Sequence, residues 1–243
     1  MNAAGLSFCA RFGYPPNSLS LCGPQQQVNL SWYAATLQPD RGTKEILEQF
    51  STLYPYLQLI ASSNDIGDPF DPRVVEAYWL GNELLQHIPI RSLETHLTDT
   101  LQLKKKLSAK RLNPVLSKLD HNPLPHHSFH VLNIYHRTGH VEEDHTIQSM
   151  DACIIQWGTV EKLLPASLVV RTTPLMSKTN KLTFGPAMLR EIFPVGGKDK
   201  IFSSLKINDV VSYHWGYLCQ KLNNRQLQNL QFYTNQSIAL ANK

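Results

Sequence analysis

Histidines are concentrated in one short part of this 243-residue chain, where seven of the ten lie between residues 121 and 145. Within it, His126-His-Ser-Phe-His130 runs into an apolar segment, 131–135, whose branched and aromatic side chains favour a strand. On a strand, His126 and His130 share one face, which continues to His136. Two imidazoles on one face can begin a zinc, nickel or iron site.

A third ligand for such a site would come from elsewhere in the chain. His127 lies between the two histidines in sequence, and the acidic residues 142–144 follow them. His126, His127 and His130 are therefore candidate metal ligands. The alternative is that these histidines decorate a strand and a loop and bond only to the backbone.

The cysteines show no metal-site or disulfide spacing of their own. They form neither a CxxC pair nor a zinc-ribbon pattern, and they are Cys9, Cys22, Cys153 and Cys219. Cys22 precedes Gly23-Pro24, where a following helix N-terminus would lower the pKa of the thiol and make it reactive. The alternative for Cys22 is a small buried apolar residue.

Composition indicates a globular protein, with 42% hydrophobic and 17% charged residues. The net charge of +4 is too small to indicate nucleic-acid binding, and the basic run Lys104–Lys106 is interpreted as a solvated helix face. The N-terminus lacks a signal-peptide pattern, and no stretch approaches the roughly 18 apolar residues of a membrane span. We expect a cytoplasmic protein with reduced thiols and no membrane contact.

The predicted fold class is α+β, in three segments. Helical patterns fill residues 1–120, which we expect to form a helical N-terminal domain. Residues 121–150 are the histidine-rich strand and connector. Residues 151–243 are expected to form a small OB-like β-barrel and a C-terminal helix, because short strands recur at intervals of about 10 residues.

Individual strands of the predicted barrel follow from its apolar runs. Cys153–Val160 is interpreted as a strand that bends at Gly158, where a glycine suggests a bulge or a barrel corner. Residues 168–173 predict a clear strand, 175–184 a weak strand or pair, and 207–218 a last strand. The segment 224–242 is amphipathic and predicts a closing helix.

The ends of this third segment resemble the small hydrogenase-maturation chaperones of the HypC/HupF type. Those proteins begin with Met-Cys, a short apolar strand and Pro-Gly-x-Val, and they end with Gly-Asp-x-Val-x-x-His-x-Gly before a helix. The matching residues here are Cys153, Ile154, Gly158, Val160, Asp209, Val211, His214 and Gly216. Trp157 and Asn208 stand where that family has Pro and Gly.

The resemblance implies an accessory protein and chaperone for maturation of nickel–iron hydrogenase, not an enzyme. In that family the cysteine thiolate binds iron that carries cyanide and carbon monoxide. The protein moves this unit from a HypD-like scaffold to the precursor of the hydrogenase large subunit. Carried over, Cys153 is the iron ligand, with His214 beside it if the barrel brings them together. Gly158, Asp209 and Gly216 are the barrel-motif residues.

The N-terminal part resembles an uncharacterised bacterial family through three short motifs. They are Leu21-Cys-Gly-Pro24, Glu76-Ala-Tyr-Trp-Leu-Gly-Asn82 and Pro125-His-His-Ser-Phe-His130. No activity follows from that resemblance.

Two alternative functions remain open from the sequence. One is a metalloenzyme of unknown reaction that uses the cluster of His126, His127 and His130 with some transition metal. It has no support from an HExxH, GxSxG, P-loop or Rossmann motif. The other is an RNA-binding module, because OB folds often bind RNA, although the small net charge argues against nucleic acid as a partner.

Overall fold

Helices account for most of the chain before residue 150. The computed structural model describes residues 2–134, 144–197 and 199–243. The helices are α1 (Ala3–Ser18), α2 (Gln27–Thr36), α3 (Arg41–Glu48), α4 (Leu53–Ser62), α5 (Pro72–Trp79), α6 (Ile90–Thr95), α7 (Leu103–Lys106), α8 (Ala109–Ser117), α9 (His127–Ile134), α10 (Ile147–Cys153) and α11 (Asn224–Ala241). Short 3₁₀ turns occupy Glu83–His87, Lys118–His121 and Phe202–Ser204, and a π-helical turn occupies His96–Thr100.

The strands lie between α10 and α11. They are β1 (Gln156–Leu163), β2 (Leu168–Thr172), β3 (Leu175–Lys178), β4 (Lys181–Phe184), β5 (Met188–Ile192), β6 (Val210–His214) and β7 (Tyr217–Lys221). Five of them form an antiparallel sheet in the order β5-β2-β1-β6-β7, and β3 and β4 form a separate hairpin. The predicted α+β class is therefore confirmed, as are the strand at 168–172 and the strand pair within 175–184.

The two edges of the five-stranded sheet meet through one parallel bridge. Phe193, which follows β5, pairs with Tyr217 of β7. Its N–H donates to the Gly216 carbonyl at 2.9 Å, and its carbonyl accepts from the Leu218 N–H at 2.8 Å. These bonds use backbone groups that an edge strand would otherwise leave unpaired.

The strand predicted from His126 into segment 131–135 is wrong, because residues His127–Ile134 form α9. Every side chain of α9 is buried, so the sequence of this helix has no polar, solvent-facing side that would have revealed a helical period. A helix satisfies its own backbone groups in such surroundings. His126 completes the N-terminus, since its Nδ1 accepts from the Ser128 N–H at 3.2 Å.

The strand predicted to begin at Cys153 is also wrong at its start. Cys153 is the last residue of α10, and β1 begins at Gln156. A capping box between Thr146 and Ser149 opens this helix, with the Ser149 N–H donating to Thr146 Oγ1 at 3.1 Å. The local cap therefore outweighs the strand propensity of the branched residues that follow Cys153.

One core joins the helices to the sheet. Its largest cluster extends from Leu6 of α1 through the N-terminal helices to Cys219 of β7 and Tyr233 of α11. A smaller cluster is formed by side chains of the five-stranded sheet and includes Val160, Val170, Ile192, Val211 and Leu218. Side chains from residues 1–120 thus pack against the sheet in a common core. The domain limits at residues 120 and 150 stay a prediction.

Arg11 fixes α1 against the sheet from inside the core. The Arg11 side chain is 2% exposed, donates to the carbonyls of Leu218, Cys219 and Ala34, and pairs with both oxygens of Asp199 at 3.0 Å. A buried guanidinium is stable only with such a full set of acceptors. This arrangement sets the position of the next residue, Phe12, whose carbonyl faces the site described below.

Within the described ranges, none of the helices combines the length and the apolar character that a membrane crossing requires.

Candidate metal centre

Three side chains from distant parts of the sequence meet in the interior. One ligand atom from each of His127, Cys153 and His214 lies within 4.8 Å of the other two. His127 is 7% exposed and His214 is 1% exposed, while Cys153 is half-buried. Two imidazole nitrogens and one sulfur are the donor set that zinc, iron(II) and cobalt(II) accept.

Each of the three residues lies at the end of an element. His127 is the first residue of α9, Cys153 is the last of α10, and His214 is the last of β6. The turn after β6 is tied to α10, because the Trp215 N–H donates to the Ala152 carbonyl at 2.9 Å. The main chain therefore holds Cys153 and His214 side by side.

His214 presents an unprotonated nitrogen to the site. Its Nδ1 lies 2.8 Å from the Phe12 carbonyl, and a carbonyl can only accept, so Nδ1 carries the proton. Burial lowers the pKa of His214 to about 4, so the ring is neutral at pH 7. Its Nε2 is buried and has no hydrogen-bond partner among the described residues. A neutral imidazole with a free lone pair is the form that binds a metal.

His127 is held by two neighbours. Its Nε2 donates to the Cys153 carbonyl at 2.8 Å, and its Nδ1 therefore accepts from the Tyr78 hydroxyl at 3.1 Å. Burial lowers the pKa of His127 well below its usual value, and the nearby His214 lowers it further. The two rings lie 5.3 Å apart between centroids in an edge-to-face arrangement. Both imidazoles are thus kept neutral, and a metal that binds His127 would replace one of its two hydrogen bonds.

The ligand atoms are close enough for one ion after a small contraction. Tetrahedral zinc with bonds near 2.0 Å to nitrogen and 2.3 Å to sulfur places such atoms about 3.5 Å apart. The observed limit of 4.8 Å requires shifts of about 1 Å, which side-chain rotation provides. Three protein ligands leave a fourth coordination position for another group.

A cavity of about 70 Å³ adjoins the three ligands. Its wall is mostly apolar and aromatic and also carries Cys22, Tyr78, Trp79, His130 and Trp215. Space of this size admits a few small molecules or ions beside a bound metal.

The structure brings together the two residues that the motif resemblance singled out. Cys153 and His214 belong to one group, and His127 is the member of the histidine cluster that joins them. His126 and His130 lie outside that group. His126 Nε2 donates to the Trp79 carbonyl at 3.2 Å, and His130 Nδ1 lies 3.1 Å from the Tyr56 hydroxyl.

The three barrel-motif residues have backbone roles. Gly158 pairs with Val211, and a Cβ at Gly158 would lie 2.9 Å from the Arg171 carbonyl oxygen. Gly216 has a φ of +79° in the turn between β6 and β7. Asp209 accepts from the Lys206 N–H at 2.9 Å and pairs with Lys221 at 2.7 Å, and the hydrogen bond from Lys221 is the main cause of its lowered pKa.

Of the other predicted ligands, the structure describes only Asp144. His136, Glu142 and Glu143 lie outside the described residues, and Asp144 pairs with Arg111 at 2.7 Å. In the basic run, Lys104 pairs with Asp99 at 3.1 Å.

Tyr78 and Trp79 were not predicted as site residues. Tyr78 donates to His127, and the Trp79 ring lies 4.6 Å from the His127 ring between centroids. The available signal was that each of the motifs 21–24, 76–82 and 125–130 contains aromatic, histidine or cysteine residues. All three motifs contribute to the wall of the cavity.

Comparison with known proteins gives a family without an assigned activity. No curated protein and no solved structure matches the chain. A family described as of unknown function, DUF6390, matches residues 1–243, and the chain therefore belongs to that family.

Proposed function

We propose that this protein binds a transition metal at His127, Cys153 and His214 and acts as an accessory protein in nickel–iron hydrogenase maturation. The observation that carries the proposal is the meeting of Cys153 and His214 at one cavity. The motif resemblance selects these two residues from the sequence alone. Cys153 and His214 lie 61 positions apart in sequence (214 − 153) but meet with a third ligand in the fold, which supports a common metal-binding role.

The strand order supports an OB-like barrel as the frame of this centre. Strands β1, β2 and β5 form a meander, β6 returns beside β1, and β7 lies next to β6. The parallel bridge from Phe193 to Tyr217 links the remaining edges. A five-stranded, partly open Greek-key arrangement is typical of OB folds. We propose that residues 151–243 are such a barrel with a C-terminal helix.

The chemistry of the donors fits a metal carrier. A thiolate is a soft ligand suited to low-spin iron, and neutral imidazoles add donors without adding charge. In this proposal the cargo is iron that carries cyanide and carbon monoxide. Cys153 holds the iron, and His214 assists through Nε2. The coordination positions of the iron that these residues do not occupy would hold the cyanide and carbon monoxide of the cargo.

The proposed partners follow from the resemblance and from the exposure of the centre. Cys153 is the least buried of the three ligands, so cargo would pass on its side of the cavity. A HypD-like scaffold would deliver the iron unit there, and the precursor of the hydrogenase large subunit would receive it. The protein itself performs no reaction on a substrate in this proposal.

An infrared spectrum of anaerobically purified protein from a hydrogenase-producing host tests the proposal. We expect bands of metal-bound cyanide and carbon monoxide, together with iron, in the wild-type chain. Cys153→Ala should lose the bands and fail to support maturation, while Cys219→Ala, which changes a buried thiol outside the centre, should keep both. Wild-type maturation in the Cys153→Ala strain would refute the carrier role.

A metalloenzyme is the second candidate, and one observation favours it. Three protein ligands with an open position beside a cavity are also the arrangement of catalytic zinc sites. Stoichiometric zinc in aerobically purified protein, with no cyanide or carbon monoxide bands under anaerobic purification, would favour this candidate over the carrier.

A further inference from the structure

A second thiol lies on the wall of the same cavity. Cys22 lines it together with His127, Cys153 and His214, although its sulfur lies outside the 4.8 Å group. It belongs to the turn between α1 and α2 and is half-buried. The proposed function assigns no role to Cys22.

Tyr78 relates Cys22 to the centre. The Tyr78 hydroxyl donates to His127 Nδ1 at 3.1 Å. Burial raises the pKa of Tyr78 well above its usual value, and Tyr56, Cys22 and Cys153 raise it further in that order. Cys22 and Cys153 are therefore both close enough to Tyr78 to act electrostatically on its phenol, which also contacts the ligand His127.

One atom in the wall of the cavity, His214 Nε2, has no hydrogen-bond donor facing it among the described residues. His214 is 1% exposed, and its buried Nε2 makes no hydrogen bond to any described residue. An unpaired lone pair in an apolar cavity is unfavourable unless a ligand completes it. A cation at this point would satisfy His214 and would attract a thiolate from the wall.

The backbone of the turn is fixed, so only the Cys22 side chain is left to move. Asn17 Nδ2 donates to the carbonyls of Cys22 at 2.9 Å and Pro24 at 2.7 Å. Gly23 has a φ of +77° and packs so tightly that a Cβ there would lie 2.3 Å from the Phe50 ring. Rotation of Cys22 about χ1 between staggered rotamers moves its sulfur by about 3 Å.

We infer that Cys22 is the fourth ligand of the centre and closes it to a tetrahedral site of two imidazoles and two thiolates. The inference rests on the proposed metal binding at His127, Cys153 and His214. Such a set selects thiophilic divalent ions such as zinc, cobalt(II) or iron(II). Rotation of Cys22 toward the ion closes the fourth position, and rotation away reopens it.

Binding of the Cys22 sulfur to the metal releases the proton of its thiol. Burial raises the pKa of the Cys22 thiol to about 11, so it is protonated at pH 7. Each thiol that binds the ion releases one proton to solvent as its S–H bond breaks and its S–metal bond forms. Closure of the site by Cys22 therefore releases the Cys22 proton. Addition of that proton returns the thiol and reopens the site.

Cobalt(II) bound to the reduced full-length chain under anaerobic conditions tests the inference. We expect X-ray absorption to show two sulfur and two nitrogen neighbours in the wild type, and tetrahedral visible bands. Cys22→Ser and Cys22→Ala should retain cobalt with one sulfur neighbour, a lower thiolate-to-cobalt absorption, and one fewer proton released in calorimetry in buffers of different ionisation enthalpy. Cys219→Ala should match the wild type.

The outcomes separate this inference from the proposed function. Wild-type protein that binds cobalt with a single sulfur, or a Cys22→Ala spectrum equal to that of the wild type, overturns the role of Cys22 and leaves the three-ligand centre standing. Wild-type protein that binds no cobalt overturns both. Thermal unfolding of each metal-free variant confirms that a lost signal does not come from a lost fold.

Discussion

At the scale of single residues, His214 is the most informative side chain in the molecule. Its Nδ1 is bonded to the Phe12 carbonyl, while its buried Nε2 lacks a partner among the described residues. A buried acceptor left unpaired costs about 1–3 kcal/mol. Buried groups of that kind are uncommon in folded proteins and often mark a functional site.

Replacement of His214 gives a prediction that separates metal binding from folding. Bound metal stabilises the folded chain by about 2.7 kcal/mol at a free concentration 100 times Kd. We expect His214→Ala to lose this metal-dependent gain in the free energy of unfolding. Urea unfolding with and without zinc measures the gain for each variant.

His130→Asn is the matched control, because His130 is equally buried but lies outside the ligand group. It should be less stable than the wild type in the absence of metal, since it loses the contact with the Tyr56 hydroxyl. Its zinc-dependent gain should remain. An equal zinc-dependent increase in the free energy of unfolding for the wild type and His214→Ala would show that His214 is not a ligand.

At the scale of elements, the tight turn between β6 and β7 positions His214. His214 pairs with Tyr217 across a two-residue turn in which Trp215 has a φ of +50° and Gly216 a φ of +79°. Two positive φ values in such a hairpin describe a type I′ turn, whose twist matches that of the strands. Phe193 also donates to the Gly216 carbonyl, so the turn joins three parts of the sheet.

The turn provides a prediction about stability. A Cβ at Gly216 would meet no atom within 4 Å, so Gly216→Ala tests the backbone conformation alone. We expect a loss of about 1–2 kcal/mol in the free energy of unfolding, because a side chain is unfavourable in the left-handed region. Gly67→Ala is the control, since Gly67 also has open space but no positive φ. Equal urea midpoints for the two variants would contradict the assignment of strain to Gly216.

At the scale of the whole molecule, the interior holds several histidines in the neutral form. Burial lowers the pKa of His96 and His214 to about 4 and of His126 and His130 to about 3. His127 is lowered as well, chiefly by burial. The unfolded chain takes up these protons near pH 6.5, whereas the folded chain does not.

The pH dependence of stability follows from this difference. Below pH 6.5 the unfolded state binds more protons than the folded state, so the stability present above that pH is lost as the pH falls toward 4. Each histidine contributes a slope of up to about 1.4 kcal/mol per pH unit. Two of them together remove up to about 7 kcal/mol between pH 6.5 and 4, which is comparable with a typical stability of about 5–15 kcal/mol. We therefore expect acid unfolding within this window.

Urea unfolding at half-unit steps from pH 7.5 to 4.5 measures the slope. Carboxylates whose pKa is lowered, such as Asp209, lose their contribution only below their ordinary value of 3.8, so they do not account for a loss above pH 4. His126→Gln should reduce the slope by about one proton. A stability independent of pH between 6.5 and 4.5 would contradict the burial of neutral histidines.

The sequence by itself determined features that depend on neighbouring residues. Turn residues and short branched runs indicated the strand at 168–172 and the pair within 175–184, and amphipathic spacing indicated α11. The motif pattern selected Cys153 and His214, because residue types in a fixed order are visible without a fold. The cluster around His127 was likewise visible as an unusual density of imidazoles.

Only the tertiary structure decided how these residues are used. Segment 127–134 has strand-like composition but is a helix, because it is buried on all sides between other elements. His127 rather than His126 or His130 reaches Cys153, because His126 precedes α9 and bonds to the Trp79 carbonyl, while His130 lies one turn further along α9 beside the Tyr56 hydroxyl. Cys22 and Tyr78 both line the cavity although they are 56 positions apart in sequence, and Tyr78 bonds to His127 across 49 positions. No local sequence pattern encodes such distant neighbours.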